Sequence, residues 1–335
     1  MERNEIKMLF MAYYAPMDGD FSIPKGIKDI SYAKYHHRVF EVLQNLFPKI
    51  ESSNSPGIML DKGLSSSYDY IFSLFNRIPF RNSEVFVSAL AEYHSIPYLG
   101  ATPNIRALAE DKHLAKMMAK HAGVATPEWS VYIIGGEIKQ PNFSPPYFIK
   151  PRFGAASTGI DENSSCFSWA EAKERILYLH KQNLDAIVEK QILGVYHTSP
   201  VIDNFGNPLF LPCISQHSIL RGGIVTYEQK RSIVGGLERR IVANMDLTNK
   251  IQNASRKMLD LVQPIDYTRF DFIVEEGTLI PYFLEFNVCC NLGEHSTLSQ
   301  AAKNIGIGYE ELIENITYSS LFRQKVIDVT YGKEL

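Results

Sequence analysis

The segment between Thr268 and Asn287 constrains the fold of this chain most, because it alternates apolar and polar residues on both sides of a glycine. That pattern predicts a β-hairpin. Asp271 lies between two phenylalanines, and Glu285 lies between leucine and phenylalanine. A period of two puts both acids on a common face with Arg269 and Asn287. Buried carboxylates are costly unless a cation neutralises them, and oxygen ligands suit Mg²⁺. The hairpin therefore predicts a metal–nucleotide site; the alternative is a solvated face with scattered acids.

The turn of this hairpin sets the register of its two acids. Asp271 and Glu285 share a face only if the residue numbers of cross-strand pairs sum to an even value, which requires an odd-length loop. A three-residue loop at 276–278, with Gly277 at positive φ, meets this condition and places Asp271 opposite Phe283. Glu285 is then expected as a diagonal neighbour of Asp271, roughly 7 Å away.

Composition limits the class of protein. With 335 residues and 38.0 kDa, the chain is long enough for two or three core units. A net charge of −3 argues against a nucleic-acid partner or a membrane-surface patch, and we expect small-molecule partners. No apolar run approaches the roughly 20 residues of a spanning helix, and no apolar leader is evident. Four cysteines do not form a disulfide framework in a chain of this length, so we expect a cytoplasmic protein.

Strand and helix signals divide the chain into three predicted units. The first hundred residues alternate strand and helix patterns, as an open α/β sheet does. We expect this unit at 1–103, a central α+β unit at 104–190 and a catalytic α+β unit at 191–335. A single long helix is predicted from Asn104 to His121, ended by Gly123. Strands are predicted at 147–150 and 186–190.

Four basic positions suit nucleotide chemistry. Lys150 ends a strand before a loop of small residues at 154–159, where backbone amides could approach a polyphosphate. Lys112 lies in a predicted helix, and Lys230 lies in a loop rich in glycine and arginine. Lys190 ends a strand after Glu189, where an exposed backbone could contact an adenine edge. Singly, each pattern is also typical of a solvated surface or an ordinary strand end.

Taken in order along the chain, these features resemble the ATP-grasp superfamily, most closely its D-alanine–D-alanine ligase-like branch. The resemblance runs from about Asp69 to about Asn315. It is carried by segments at 96–100, 111–112, 122–127, 148–151, 188–190, 269–271, 285–287 and 306–313. It implies a three-domain ATP-grasp fold, with an N-terminal open α/β domain and two α+β domains that grasp ATP.

The resemblance also implies roles for individual residues, with ATP and Mg²⁺ (or Mn²⁺) as cofactors. Phosphate contacts are implied for Lys112, Lys150, Ser157 and Lys230. Adenine contacts are implied for Glu189, Lys190 and Ile192. The metal ligands are implied to be Asp271, Glu285 and Asn287. Arg269 would stabilise the tetrahedral intermediate, Lys230 would also serve the chemistry, and Ser296 would bind the acceptor carboxylate.

Departures from the family pattern concentrate in the residues that would recognise the substrates. The N-terminus lacks the Gly-Gly-x-Ser-x-Glu signature that orients the first D-alanine, and the ribose-binding acid falls on Tyr196. Polar residues that could replace the signature are Tyr14, Asp18, Asp20, His36 and His37. We therefore predict an ATP-dependent carboxylate–amine ligase that forms an amide bond through an acyl phosphate, acts on amino acids or a small peptide, and makes D-alanyl-D-alanine poorly. The alternatives are a D-alanine–D-alanine ligase proper and a degenerate ATP-binding module. A homodimer is left open.

Overall fold

A computed structural model describes residues 1–23, 30–75, 83–154, 159–218 and 236–328. The described chain forms three sheets, of three, four and six strands. Each sheet belongs to a different stretch of the sequence. No described helix has the length and apolar character needed to cross a membrane.

The N-terminal part contains a three-stranded parallel sheet in the order β2-β1-β3. All four residues of β1 are buried, as expected for the central strand of a sheet covered on both faces. The elements are β1 (Met8–Met11), α1 (Ile30–Leu46), β2 (Ile50–Ser53), a 3₁₀ turn (Pro56–Leu60), α2 (Leu64–Ser67), β3 (Tyr70–Ser73) and α3 (Ser83–His94).

Two helices, α4 (Pro103–Glu110) and α5 (Lys112–His121), replace the single long helix predicted from Asn104 to His121. The break falls at Asp111, whose extended backbone (φ −95°, ψ 99°) ends α4 and caps α5. Its carboxylate accepts from the backbone N–H of His113 at 3.0 Å and pairs with the Arg152 guanidinium at 2.6 Å. The prediction was wrong because an N-cap aspartate was taken for a helix-interior residue.

The central part is a four-stranded antiparallel sheet in the order β4-β7-β5-β6. Helix α6 packs on it through Ala172, Ile176 and Leu179. The elements are β4 (Trp129–Tyr132), β5 (Tyr147–Pro151), a 3₁₀ turn (Glu162–Ser164), β6 (Ser165–Cys166), α6 (Trp169–Lys181) and β7 (Ala186–Lys190).

The C-terminal part is an antiparallel sheet in the order β11-β10-β8-β12-β13, with β9 paired to β8. Its strands are β8 (Gly194–Asn204), β9 (Asn207–Phe210), β10 (Ile214–Ser218), β11 (Leu237–Ile241), β12 (Tyr267–Glu275) and β13 (Pro281–Asn287). Its helices are α7 (Met245–Val262), α8 (Thr297–Asn304) and α9 (Tyr309–Arg323).

Core packing crosses the predicted domain limits. One apolar cluster joins Phe10 and Phe47 of the N-terminal part to Leu298 and Leu321 of the C-terminal helices. A second cluster joins α4 and α5 to the C-terminal sheet, with Ile105 packed among the phenylalanines of β12 and β13. The domain limits 1–103, 104–190 and 191–335 remain a prediction. The contacts of the second cluster show that α4 and α5 pack against the six-stranded sheet.

Candidate active site

The hairpin of β12 and β13 carries the predicted acids directly opposite each other. Asp271 pairs with Glu285, and Arg269 pairs with Asn287 in the next position on the same face. Asp271 is fully buried, and its oxygens accept from the Thr198 hydroxyl at 2.9 Å and from the Asn287 amide at 3.2 Å. Arg269 completes the set at 3.2 Å from Asp271. The common face predicted for these four hairpin residues is therefore confirmed.

The register of this face arises differently from the prediction. The turn is longer than three residues: Glu275 donates its backbone N–H to Ile280 at 3.0 Å, so four residues separate this pair. From Val274–Pro281 to Phe272–Phe283 the paired numbers have an odd sum, which would put the acids on opposite faces. A β-bulge between Asp271 and Phe272 restores the even sum. Asp271 is thus opposite Glu285, and the predicted pairing with Phe283 was wrong.

The donor set on this face fits a hard divalent cation. Within the described residues, no group of three or more histidine, cysteine, aspartate or glutamate side chains could hold a metal. The set here is two carboxylates and one amide, from Asp271, Glu285 and Asn287. Mg²⁺ is usually bound through one or two carboxylates while it keeps waters and phosphate oxygens as its other ligands. These residues therefore fit Mg²⁺ that arrives with a nucleotide.

Tyr196 lies beside the acids, although the family pattern would have a ribose-binding acid at this position. It is on β8, two residues before Thr198 and on the same face, and its hydroxyl is hydrogen-bonded to Asp271. Burial raises the pKa of Tyr196 well above its usual range, and the nearby charges of Asp271 and Glu285 raise it further. The phenol therefore stays protonated and serves as a hydrogen-bond donor at the carboxylate cluster.

Arg269 keeps its charge in this buried setting. Burial lowers the pKa of its guanidinium, but Asp271, Tyr196, Cys290 and Glu285 together outweigh that effect and leave the pKa above its ordinary value. A largely buried, permanently charged guanidinium next to the acids can stabilise negative charge that develops on a substrate oxygen. This chemistry agrees with the role predicted for Arg269.

A second buried cluster lies on one face of the four-stranded sheet. The Glu189 carboxylate is 3.0 Å from Lys150 Nζ and 3.2 Å from Lys116 Nζ, and all three side chains are buried. Lys116 also donates to the Thr126 hydroxyl at 2.9 Å. Burial alone would raise the pKa of Glu189, but Lys116 and Lys150 lower it below its usual value. Lys150 is thus held by a fixed carboxylate.

Sequence reasoning missed Lys116. The signal was present, because Lys116 follows Lys112 by one helical turn and the two side chains project from the same face of α5. Burial lowers the pKa of Lys116 to about 8, although the charge of Glu189 opposes the shift. An ammonium buried in this way is unusual outside functional sites.

Lys112 is the first residue of α5 and points toward the loop after β5. Its Nζ donates to the carbonyl of Gly154 at 2.5 Å, and its backbone N–H donates to Arg152 at 3.1 Å. The alternative of a solvated helix face is wrong for Lys112, which is buried. Burial lowers its pKa, whereas the charge of Glu285 raises it, so the lysine lies within electrostatic range of the metal face.

Other predicted site residues are placed less decisively. Lys190 donates its backbone N–H to Glu128 at 2.8 Å, and its side chain is half exposed. Ile192 is half-buried beyond the end of β7. Adenine contact by Glu189, Lys190 and Ile192 remains a prediction. Ser157 and Lys230 lie outside the described residues.

Ser296 is the N-cap of α8, at the end of the loop that follows Asn287. Its hydroxyl accepts from the backbone N–H of Ser299 at 3.1 Å. Helix α1 of the N-terminal part supports this loop, because the Tyr35 hydroxyl accepts from the backbone N–H of Leu292 at 3.2 Å. Asn287 and Ser296 therefore lie at the two ends of one supported loop, and the helix N-terminus at Ser296 is suited to a carboxylate.

Buried lysines around the four-stranded sheet and oxygen ligands on the six-stranded sheet are the arrangement expected of an ATP-grasp ligase. A family model described as "D-ala D-ala ligase C-terminus" matches residues 118–318, which is more than half of the chain. The chain therefore belongs to the D-alanine–D-alanine ligase family.

Relatives agree with this assignment. A D-alanine–D-alanine ligase of Maridesulfovibrio salexigens is 30% identical over 69% of this chain and 74% of the relative. One of Aquifex aeolicus is 30% identical over 69% of this chain and 76% of its own length.

Solved structures share the fold across nearly the whole chain. D-alanine–D-alanine ligase of Bacillus anthracis complexed with ATP has a TM-score of 0.72 at 18% identity, covering 96% of this chain and 99% of that one. The VanG D-Ala:D-Ser ligase of Enterococcus faecalis has a TM-score of 0.70 at 16% identity, covering 94% and 100%.

The comparisons confirm the predicted family, the predicted ATP-grasp fold class and the prediction of an ADP-forming ligase. They favour the D-alanine–D-alanine ligase alternative over the broader carboxylate–amine interpretation. The roles of individual site residues remain predictions.

Proposed function

We propose that this chain is a D-alanine–D-alanine ligase, which activates one amino-acid carboxylate as an acyl phosphate and joins it to the amine of a second. The observation that carries the proposal is the family match over residues 118–318, which includes Lys150, Asp271, Glu285, Asn287 and Ser296. The missing N-terminal signature argues against D-alanine as the first substrate. We give membership of the family more weight than the missing signature, because the match spans the residues proposed to bind ATP, the metal and the acceptor.

The residues divide the work by charge. Lys112 and Lys150 would neutralise the ATP phosphates, while Asp271, Glu285 and Asn287 would hold Mg²⁺. Mg²⁺ would neutralise the phosphate oxygens during phosphoryl transfer. In this way the chain positions the nucleotide without a covalent link to it.

The second half of the reaction needs an anion-stabilising group and a site for the acceptor. Arg269 lies next to Asp271 and would stabilise the oxyanion that forms when the amine attacks. Ser296, at the N-terminus of α8, would bind the acceptor carboxylate through its hydroxyl and the helix N–H groups. The intact metal ligands also argue against a degenerate ATP-binding module.

The test is to measure ADP release from ATP and Mg²⁺ with D-alanine, and to identify the product by mass spectrometry. We expect D-alanyl-D-alanine and ADP in equal amounts, with L-alanine as the negative control. ATP hydrolysis at the same rate with and without D-alanine, or no ADP at all, would contradict the proposal. The Asp271→Asn variant, which is expected to be inactive, measures the background ADP release that contaminating ATPases cause.

A further inference from the structure

Asp271, one of the proposed metal ligands, is held by a chain of hydrogen bonds that crosses three strands. The Thr198 hydroxyl on β8 donates to Asp271 Oδ1 at 2.9 Å, and Gln216 Nε2 on β10 donates to the Thr198 hydroxyl at 3.0 Å. Thr198 pairs with Asp271, and Gln216 pairs with Tyr196, whose phenol also contacts Asp271. These side chains therefore project from the sheet face that carries the acids.

The direction of each bond in this chain follows from the chemistry of the groups. A carboxylate only accepts, so the single hydroxyl proton of Thr198 is given to Asp271. The hydroxyl can then only accept from Gln216, so the amide of Gln216 must present its nitrogen and not its oxygen. Gln216 thus sets the rotation of the hydroxyl, and the hydroxyl orients the carboxylate.

Burial leaves these groups little access to water. Thr198 and Asp271 are 0% exposed, and Gln216 is 4% exposed. A buried polar group that loses its partner retains the full cost of its desolvation, because water cannot replace the lost bond. Each bond of the chain therefore restricts the group that it contacts.

The chain reaches Asp271 from the side away from the second acid. Strand β12 lies between β8 and β13, so Thr198 and Glu285 flank Asp271 on opposite sides. The other carboxylate oxygen, Oδ2, accepts from the Asn287 amide at 3.2 Å and lies 3.2 Å from the Arg269 guanidinium. Both oxygens of Asp271 thus have donors, and the carboxylate cannot rotate without breaking at least one of these contacts.

We propose that Thr198 and Gln216 are positioning residues of the metal site, which hold the Asp271 carboxylate in the orientation that binds Mg²⁺ and so set the affinity for the metal. The proposal rests on the proposed function for its metal, and it adds a role for two residues that are not ligands themselves. Loss of a hydrogen-bond partner of a metal ligand typically costs roughly 10- to 100-fold in metal affinity or activity.

Metal binding without turnover tests this role. Mn²⁺ is the probe, because it shares the preference of Mg²⁺ for carboxylate oxygens. Free Mn²⁺ would be measured by electron paramagnetic resonance with protein and a non-hydrolysable ATP analogue, against a blank with the analogue alone. Thr198→Val removes the hydroxyl at nearly constant volume and should raise the dissociation constant for Mn²⁺ roughly tenfold.

Two variants separate a positioning role from a merely structural one. Thr198→Ser keeps the hydroxyl and should bind Mn²⁺ like wild type. Ser199→Ala is the matched control, because Ser199 is also fully buried on β8 but faces the other side of the sheet. It should bind Mn²⁺ like wild type as well.

A double-mutant cycle tests whether Gln216 acts through Thr198. Gln216→Met should weaken Mn²⁺ binding less than Thr198→Val does. The double variant should bind no more weakly than Thr198→Val alone, because Gln216 then has no hydroxyl to orient. Additive losses would overturn the role of Gln216.

Unchanged Mn²⁺ affinity in Thr198→Val, or an equal loss in Thr198→Ser or Ser199→Ala, would overturn the proposal. If Thr198→Val does not fold, Gln216→Met takes its place, and unchanged affinity in that variant overturns the proposal. A tenfold loss of Mn²⁺ affinity in a protein that forms no D-alanyl-D-alanine would support the positioning role and overturn only the proposed reaction. In an active enzyme, the Mg²⁺ concentration that gives half-maximal rate should rise roughly tenfold in Thr198→Val, while kcat at saturating Mg²⁺ stays close to wild type.

Discussion

The two buried charge clusters of this enzyme have opposite signs. The cluster around the four-stranded sheet sets three lysines, Lys112, Lys116 and Lys150, against Glu189. The hairpin sets two carboxylates, Asp271 and Glu285, against Arg269. Neither cluster is neutral on its own, and buried charge that is not balanced destabilises a fold. In the proposed function, polyphosphate balances the first cluster and metal cations balance the second.

The two clusters also influence each other. The charge of Glu285 raises the pKa of Lys112 and of Lys116, each against the larger effect of burial. Helix α5 accounts for this proximity, because it packs on β13 while its first residue reaches the loop after β5. The proposed nucleotide site thus lies between two sheets that a single helix connects.

The largest expected effect comes from the negative cluster. Asp271→Asn and Glu285→Gln should each reduce turnover to below about 1% of wild type, because an amide cannot replace the charge that balances the cations. Phosphate release at saturating Mg²⁺ measures this effect. Glu276→Gln, in the exposed turn of the same hairpin, is the matched control and should retain activity. Near-normal release by either site variant would refute the metal assignment.

The positive cluster should affect binding more than chemistry. We expect Lys150→Ala to weaken ATP binding by ~2 kcal/mol, or roughly 30-fold, because one buried charge-assisted contact is lost. Calorimetry with a non-hydrolysable ATP analogue measures it. Lys139→Ala, in the same part of the chain and exposed, is the control. Unchanged affinity in Lys150→Ala would mean that the loop after β5 is only a turn.

The smallest effect distinguishes Lys116 from the other lysines. Its pKa of about 8 is below the 10.5 of an unfolded chain, so above pH 8 the unfolded state binds more protons. Stability then rises with pH relative to a variant without the group. Between about pH 7.5 and 9, the unfolding free energy of wild type should gain about 1 kcal/mol over that of Lys116→Met. Urea unfolding of both proteins at both pH values measures the difference in unfolding free energy. A difference that does not change with pH would show that the pKa of Lys116 is not lowered.

The two regions differed in how far sequence could predict them. The common face of the hairpin acids was predicted correctly but for the wrong reason. The four-residue turn alone would have put them on opposite faces, and a bulge between Asp271 and Phe272 restores the common face.

The role of Lys116 was not predicted, because a helix lysine is usually solvated and only the packing of α5 on β13 buries it. The break at Asp111 was missed because an N-cap aspartate was taken for a helix-interior residue, and its other partner, Arg152, is distant in sequence. Ser157 and Lys230 stay predictions.

Contacts between segments that are distant in sequence also limited how far the substrate-binding region could be predicted. Helix α1 contacts the loop between Asn287 and Ser296 through the Tyr35 hydroxyl. A cavity beside α8 combines residues from β10, β11 and α8. No local pattern marks such a site, because each contributing segment resembles ordinary surface until the chain is folded.

The bulge between Asp271 and Phe272 has a consequence for protein engineering. Because the bulge sets the alignment of the acids, the tip of the hairpin at 276–279 is free to vary as long as the strands below it keep their pairing. This tip is exposed at every position. A peptide tag or a fluorescent reporter inserted there would be tolerated, and the two acids would stay opposite each other.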